Sequence, residues 1–301
     1  MRGLATLAAC FVAALTVASA ILVAGSVMRD EATARSGAGV TGITRAAPLS
    51  ADVVRRLDGL VTAFPGNAGV WIADLASTTP LYAHNADTSV VSASLYKLGV
   101  LMEAERRVEN GTMRYGDRIT IQAEDVTEDG SVYEAGAVIS LDEALEAMIT
   151  VSDNGSALAV WHLVGGEAID ATLARAGMTD FHVTLDRLGN TTVTPRAVGT
   201  YFALLARKEL VSARASERML ARLERQRIND RLPAALPGTV VVAHKTGNLS
   251  GLIHDAGVIF APAGPRVVVV MTWDAYQGAN AFIAEVAAIV YGASLEPAAR
   301  P

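Results

Sequence analysis

The apolar pattern of this chain changes period along its length, and that change restricts the fold more than any other feature. Two short apolar runs come first, Gly69–Asp74 and Leu81–His84, split by Ser77-Thr78-Thr79-Pro80, a turn cluster that marks a hairpin. A long block with helical spacing follows. After Pro237 the period changes again: Val240–His244, Ala256–Phe260 and Val267–Trp273 read as strands, and Ala279–Tyr291 closes as a helix. Strands at both ends of a chain satisfy their backbone groups by pairing with one another. The pattern therefore predicts an antiparallel five-stranded sheet flanked by the terminal helices, Leu49–Ala63 and Ala279–Tyr291, plus an all-helical lobe from the middle of the chain. The class is α/β (α+β), and the cleft between sheet and lobe is where a site is expected. The run Val240, Val241, Val242, Ala243 predicts a central strand.

Within the helical block, Leu95, Leu98, Leu101 and Met102 fall on one face of a helix over Ser94–Asn110, and Gly111 stops it. Ser140 and Glu143 form a capping box ahead of Leu145, Met148 and Ile149. Further helices are predicted at Gly155–Leu163, at Glu167–Ala176, from Thr194-Pro195 through Ala206, and at Ser216–Glu224.

The N-terminal segment is about address. From Gly3 to Met28 no residue is charged, and Arg2 precedes the run. As a helix the run would span roughly 39 Å, enough to cross a bilayer. A cleaved signal would use Ala18-Ser19-Ala20 or Val23-Ala24-Gly25; an uncleaved anchor would use the whole run. Leu7-Ala8-Ala9-Cys10 resembles a lipoprotein box, but almost no apolar core precedes it. Either main reading exports the rest of the chain, to a periplasmic or extracellular location, with membrane contact only through residues 3–28. Small and polar residues 29–48 then read as a flexible linker, 49–296 as the folded domain, and 297–301 as a tail.

Composition excludes several classes. Hydrophobic residues make up 51% of the 301 and charged residues 19%, so the chain is not a disordered polymer. Its net charge of −6 argues against a nucleic-acid partner. The single cysteine, Cys10, excludes an intramolecular disulfide and a cysteine-built zinc site. The five histidines lack any His-Glu-x-x-His spacing, so neither metal nor cofactor is expected.

Three motifs carry chemistry. In Ser94-Leu95-Tyr96-Lys97, one helical turn separates a hydroxyl from an amine. A serine needs a base to become a nucleophile, and a desolvated lysine can be that base. The free N–H groups at a helix start suit an oxyanion. Ser152-Asp153-Asn154 offers a hydroxyl to relay a proton and an amide to read another amide, with Asp153 expected to hold the turn. Lys245-Thr246-Gly247 ends an apolar strand; the cation and hydroxyl would meet an anion, and glycine permits close approach. Taken singly, these are a helix cap, a polar loop and a strand end. Together and in this order they are far more specific.

The set S-x-x-K, S-D-N, K-T-G is that of class A β-lactamases and penicillin-binding proteins, and this chain resembles that family over Leu49–Leu295. Ile149-Thr150-Val151, Leu163-Val164-Gly165-Gly166, Thr194-Pro195-Arg196 and His244 ahead of Lys245 support the likeness. The resemblance implies a β-lactamase/transpeptidase-like fold, a monomer, and a β-lactam or peptidoglycan-peptide substrate. It implies that Ser94 is acylated, Lys97 helps activate it, and Ser152 passes a proton to the leaving nitrogen. Asn154 would bind the acyl-side amide, and Lys245 and Thr246, with Gly247 beside them, the substrate carboxylate. The backbone amides of Ser94 and Asn248 would form the oxyanion hole.

One departure stands out. Class A enzymes carry Glu-x-x-Leu-Asn before the Thr-Pro helix start, and that glutamate aims the deacylating water. No glutamate occurs between Ala168 and Lys208 here. Asp186-Arg187-Leu188-Gly189-Asn190 keeps the acid-to-asparagine spacing with a shorter acid, so Asp186 is either a substitute base or a loop solubiliser. Glu124, Glu128 and Glu134 precede the second motif, near the expected cleft mouth. Three readings follow: a β-lactamase-type serine acyl hydrolase with slow deacylation, a D-Ala-D-Ala peptidase or penicillin-binding protein, and a binding module that stays acylated.

Overall fold

The computed structural model describes residues 48–295 except 77–78, 128–129, 186–189 and 276. The export segment, nearly all of the linker, Asp186, Glu128 and the tail lie outside the described residues. Helix α1 (Ala51–Ala63) starts where Ser50 accepts from the amide of Val53 and Asp52 meets the positive helix end. Strands β1 (Asn67–Ala73) and β2 (Tyr82–His84) pair antiparallel, as the hairpin signal predicted. After β3 (Val90–Val91), a 3-10 turn at Ala93–Leu95 feeds α2 (Tyr96–Glu109). The predicted helix over Ser94–Asn110 is thus α-helical only from Tyr96. Short strands β4 (Arg118–Thr120) and β5 (Val138–Ser140) precede α3 (Leu141–Thr150), with the Ser140–Glu143 capping box present.

Helices α4 (Asn154–Val164) and α5 (Gly166–Arg175), strands β6 (Phe181–His182) and β7 (Thr192–Val193), and helices α6 (Pro195–Ala206) and α7 (Ala213–Leu223) complete the lobe. The chain returns through β8 (Val242–Leu249), β9 (Leu252–Ala261), β10 (Gly264–Trp273) and α8 (Ala279–Ala293). The five-stranded sheet has the order β2-β1-β10-β9-β8 and is antiparallel throughout.

The centre of β10 shows why the end strands read as continuous apolar runs. Val267, Val269 and Met271 enter the core shared with the helical lobe, while Val268 and Val270 enter a second core with α1 and α8. Successive side chains alternate faces, and both faces are covered. In that second core Phe64 stacks on Phe282, with centroids 4.4 Å apart. Helix α2 is buried around most of its circumference from Lys97 to Glu105, so it is the axis of the lobe rather than an amphipathic surface helix.

Two expectations are corrected. The strand carrying Lys245-Thr246-Gly247 lies at the edge of the sheet, not in its centre. The motif is inside β8, which runs on to Leu249, rather than at its end. Its side chains are buried because the helical lobe and the segment before β8 cover them, which apolar content alone cannot distinguish from a second neighbouring strand.

Candidate active site

Ser94 sits on the 3-10 turn, half-buried at the wall of a cleft of about 870 Å³. Ala93, just before it, has φ of +46°, a left-handed conformation unusual for a side-chain-bearing residue. The turn is tied down on both sides. The amide of Ser92 donates to Thr191 O at 2.9 Å, and their hydroxyls lie 2.5 Å apart. Leu95 is fully buried. Strand β8 passes so close that a Cβ on Gly247 would stand 3.2 Å from Ala93 Cβ, which accounts for glycine there.

Lys97, the second residue of α2 and three residues after Ser94, is fully buried. Its Nζ donates to Ser152 O at 2.6 Å, Ser152 Oγ at 3.2 Å and Asn154 Oδ1 at 2.6 Å, none of them Ser94. Burial lowers its pKa to about 7, partly opposed by the charge of Asp153. The amine is therefore available as a proton acceptor near neutrality. Ser152, with φ of +60°, turns its hydroxyl between two cations. Lys245, also fully buried, donates to that hydroxyl at 2.9 Å and to Thr246 O at 2.9 Å. Burial, reinforced by Lys97 and Arg231 and opposed by Asp255, holds its pKa well below the ordinary lysine range.

Asp153 is buried and structural, as expected: Oδ2 accepts from Ser156 N at 2.7 Å to cap α4, and Oδ1 accepts from Val132 N. The structure brings Ser94, Ser152, Asn154, Thr246 and Asn248 to one cleft, with Lys97 and Lys245 beneath it. Glu124 lines the same cleft, whereas Glu134 is not among its lining residues. Asp186 cannot be placed, because it lies outside the described residues.

Arg231 was not singled out by sequence. Its Nη1 donates to Gly247 O at 2.9 Å and His254 O at 2.8 Å, and Nη2 to Asn248 Oδ1 at 3.3 Å. It is buried yet lines the cleft, so its guanidinium adds a third cation to the Lys245 end. Behind it, Leu232 N donates to Asp255 Oδ2 at 3.0 Å, and His244 Nδ1 donates to the same carboxylate at 2.9 Å. His244 Nε2 faces Asn229 Oδ1 at 3.0 Å. This buried cluster bolts the 229–232 segment onto β8 and β9. On β9, His254 accepts from Thr272 N at 3.2 Å and donates through Nε2 to Val91 O at 2.9 Å. Burial depresses its pKa to about 4, so it is a neutral strut next to the Ser94 turn. No motif marks Arg231, Asn229 or Asp255; only contacts between distant segments reveal them.

No group of three or more His, Cys, Asp or Glu among the described residues is arranged to hold a metal ion. The arrangement can do acyl transfer: a hydroxyl at the cleft wall, an amine of lowered pKa, a bridging hydroxyl, and cations for an anionic substrate group.

Comparison with known proteins gives the family. The profile of the β-lactamase enzyme family matches residues 52–293. A β-lactamase of Streptomyces lavendulae is 29% identical, covering 79% of this chain and 86% of that one. Among solved structures, PBP-A superposes with a TM-score of 0.75 at 25% identity, covering 84% of this chain and 98% of that one. An ancestral class A β-lactamase gives 0.73 at 28% identity, covering 80% and 99%.

Proposed function

Because the chain belongs to the β-lactamase enzyme family, we propose that it is an exported serine acyl hydrolase that forms an acyl-enzyme through Ser94 with β-lactam or D-Ala-type amide substrates. The observation that carries the reading is the convergence of two buried lysines on one hydroxyl, Lys97 at 3.2 Å and Lys245 at 2.9 Å from Ser152 Oγ, beneath a cleft lined by Ser94.

In this reading neutral Lys97 takes the Ser94 proton as Oγ attacks the carbonyl carbon. The backbone amides of Ser94 and Asn248 receive the developing oxyanion. Ser152 then delivers its proton to the leaving nitrogen and is reprotonated from Lys97, so the proton lost by Ser94 ends on the departing amine. Lys245, Thr246 and Arg231 meet the substrate carboxylate, and Asn154 the acyl-side amide. Water must attack the same carbonyl in the second half-reaction and needs its own base. No glutamate from Ala168 to Lys208 supplies one, and Asp186 is the remaining acid with the right spacing to its asparagine. Deacylation is therefore slow.

A penicillin-binding protein, readily acylated and slow to release, is the second reading. Likeness to PBP-A favours it, as does a variant of PBP-A captured as an acyl-enzyme complex with penicillin G, 26% identical with a TM-score of 0.74. Both readings place the domain outside the cytoplasmic membrane, led there by the uncharged run Gly3–Met28. The test is a fluorescent penicillin with purified protein, followed by intact mass. Wild type gains one label, and Ser94→Ala gains none while melting within a few degrees of wild type, since a half-buried turn serine contributes about 1 kcal/mol or less. Labelling that persists in Ser94→Ala would mean a different nucleophile.

A further inference from the structure

A second cavity, of about 350 Å³, opens at the other end of α2 and shares no lining residue with the catalytic cleft. Its walls are the last turn of α2, the 111–115 loop and the first two turns of α7. Lys97 and Glu109 both lie on α2, so at 1.5 Å per residue the two sites stand roughly 18 Å apart along the helix axis.

The walls are fixed before any ligand arrives. Gly111, with φ of +76°, reverses the chain after α2. Its amide donates to Val108 O at 3.1 Å and the Thr112 amide to Arg107 O at 2.9 Å, the paired bonds of a glycine-terminated helix. Asn110 Oδ1 accepts from the Thr112 amide at 3.1 Å, and Asp117 Oδ2 from the Arg114 amide at 2.8 Å. On the opposite wall Ser212 caps α7, and Arg218 spans to α2, donating to Glu105 at 3.0 Å and to Glu109 at 2.8 Å.

The whole chain carries a net charge of −6, yet Arg114, Arg214 and Arg218 line this cavity against one carboxylate, Glu109. Arg218 is spent on Glu109 and on buried Glu105. Arg114 and Arg214 are exposed, and neither guanidinium has an ion pair among the described residues. Even with Asp117 beside Arg114, positive charge is in excess. The floor is different. Met113 is buried and Val108 half-buried, and Tyr115 gives its hydroxyl to Glu105 at 2.8 Å, so what it offers the cavity is ring carbon. Two unpaired planar guanidiniums beside apolar and aromatic carbon suit a ligand with a doubly charged head and a flat apolar body. A volume near 350 Å³ is at the lower end for small organic ligands.

We propose that this cavity is a second ligand site, which binds a small phosphomonoester with an aromatic body. Arg114 and Arg214 take the phosphate dianion, and Val108, Met113 and Tyr115 take the ring. The site does not depend on the acyl-enzyme reading of Ser94.

The test is titration calorimetry of the purified protein with phenyl phosphate, inorganic phosphate and phenol. Phenyl phosphate should fill one site per chain, about tenfold or more tighter than inorganic phosphate because its ring leaves water, and phenol should bind too weakly to measure. Arg114→Ala and Arg214→Ala should each weaken phenyl phosphate about 10- to 100-fold, the usual worth of a hydrogen bond to a charged group. Both variants should melt within a few degrees of wild type, since both side chains are exposed. Phenyl phosphate that shows no saturable binding, or binds no tighter than inorganic phosphate, overturns the site. So does binding that survives in both arginine variants and is lost in Lys245→Ala, which would move the anion to the catalytic cleft.

Discussion

The Nζ of Lys245 donates to the hydroxyl of Ser152 at 2.9 Å across 93 residues of sequence. Lys97 reaches the same hydroxyl from the opposite side of the cleft floor, at 3.2 Å. Two buried cations on one oxygen repel each other, and burial penalises both charges. The site relieves this by letting a lysine titrate, which makes an amine a base at neutral pH.

That relief predicts a pH dependence. Acylation should rise as pH climbs through about 7, where Lys97 loses its proton, and level off above it. Stability should follow the same group. Its folded pKa lies below the unfolded value near 10.5, so the unfolded chain binds more protons between about 7 and 10.5 and stability rises with pH in that window. Denaturant unfolding at several pH values checks this; the slope should shrink in Lys97→Met. An acylation rate independent of pH from 5 to 9 would remove Lys97 as the base.

Lys245→Ala should weaken acylation by carboxylate-bearing substrates about 10- to 100-fold more than by a neutral ester, the usual worth of a hydrogen bond to a charged group. Steady-state competition between the two substrate types measures it. Equal losses would assign Lys245 to holding Ser152 rather than to the substrate anion.

Good β-lactams should give a burst near one equivalent followed by slow turnover, with the Ser94 adduct visible by intact mass for minutes. A positioned base contributes about 10²–10⁴ in rate, and a shorter acid recovers only part of that. If Asp186 is the substitute, Asp186→Asn lowers turnover and keeps the burst. Fast turnover without a detectable adduct, unchanged in Asp186→Asn, would reveal a base elsewhere.

Gly257→Ala tests the packing behind the site. A Cβ at that position would fall 2.4 Å from Ala243 O and 2.6 Å from His244 Cβ, where the His244–Asp255 pair is seated. Overpacking of this kind costs about 1–3 kcal/mol, so thermal unfolding should drop by several degrees and Ser94 acylation should weaken with it. A variant as stable as wild type would mean that β8 and β9 separate easily at this point.

The sequence by itself determined that the five strands of the main sheet come from the two ends of the folded part, the capped starts at Ser140 and Thr194, and the three motifs, but not the short strands β3 to β7 within the middle block. These are local facts: a period, a cap and a short spacing are written in neighbouring residues. Only tertiary structure decided the rest. Strand β8 reads as central from the apolar run Val240–Ala243, but Val240 and Val241 precede the strand, Val241 is 48% exposed, and strand order is a matter of pairing partners. Ser94 lies on a 3-10 turn that opens on the left-handed Ala93, packed against Gly247 of a distant strand, a contact no local pattern announces. Arg231, Asn229 and Asp255 look like ordinary polar residues until the 229–232 segment is laid over β8 and β9. Desolvation also belongs to the whole fold: the spacing of Ser94 and Lys97 names a possible base, but only burial under two lobes lowers that lysine to about 7.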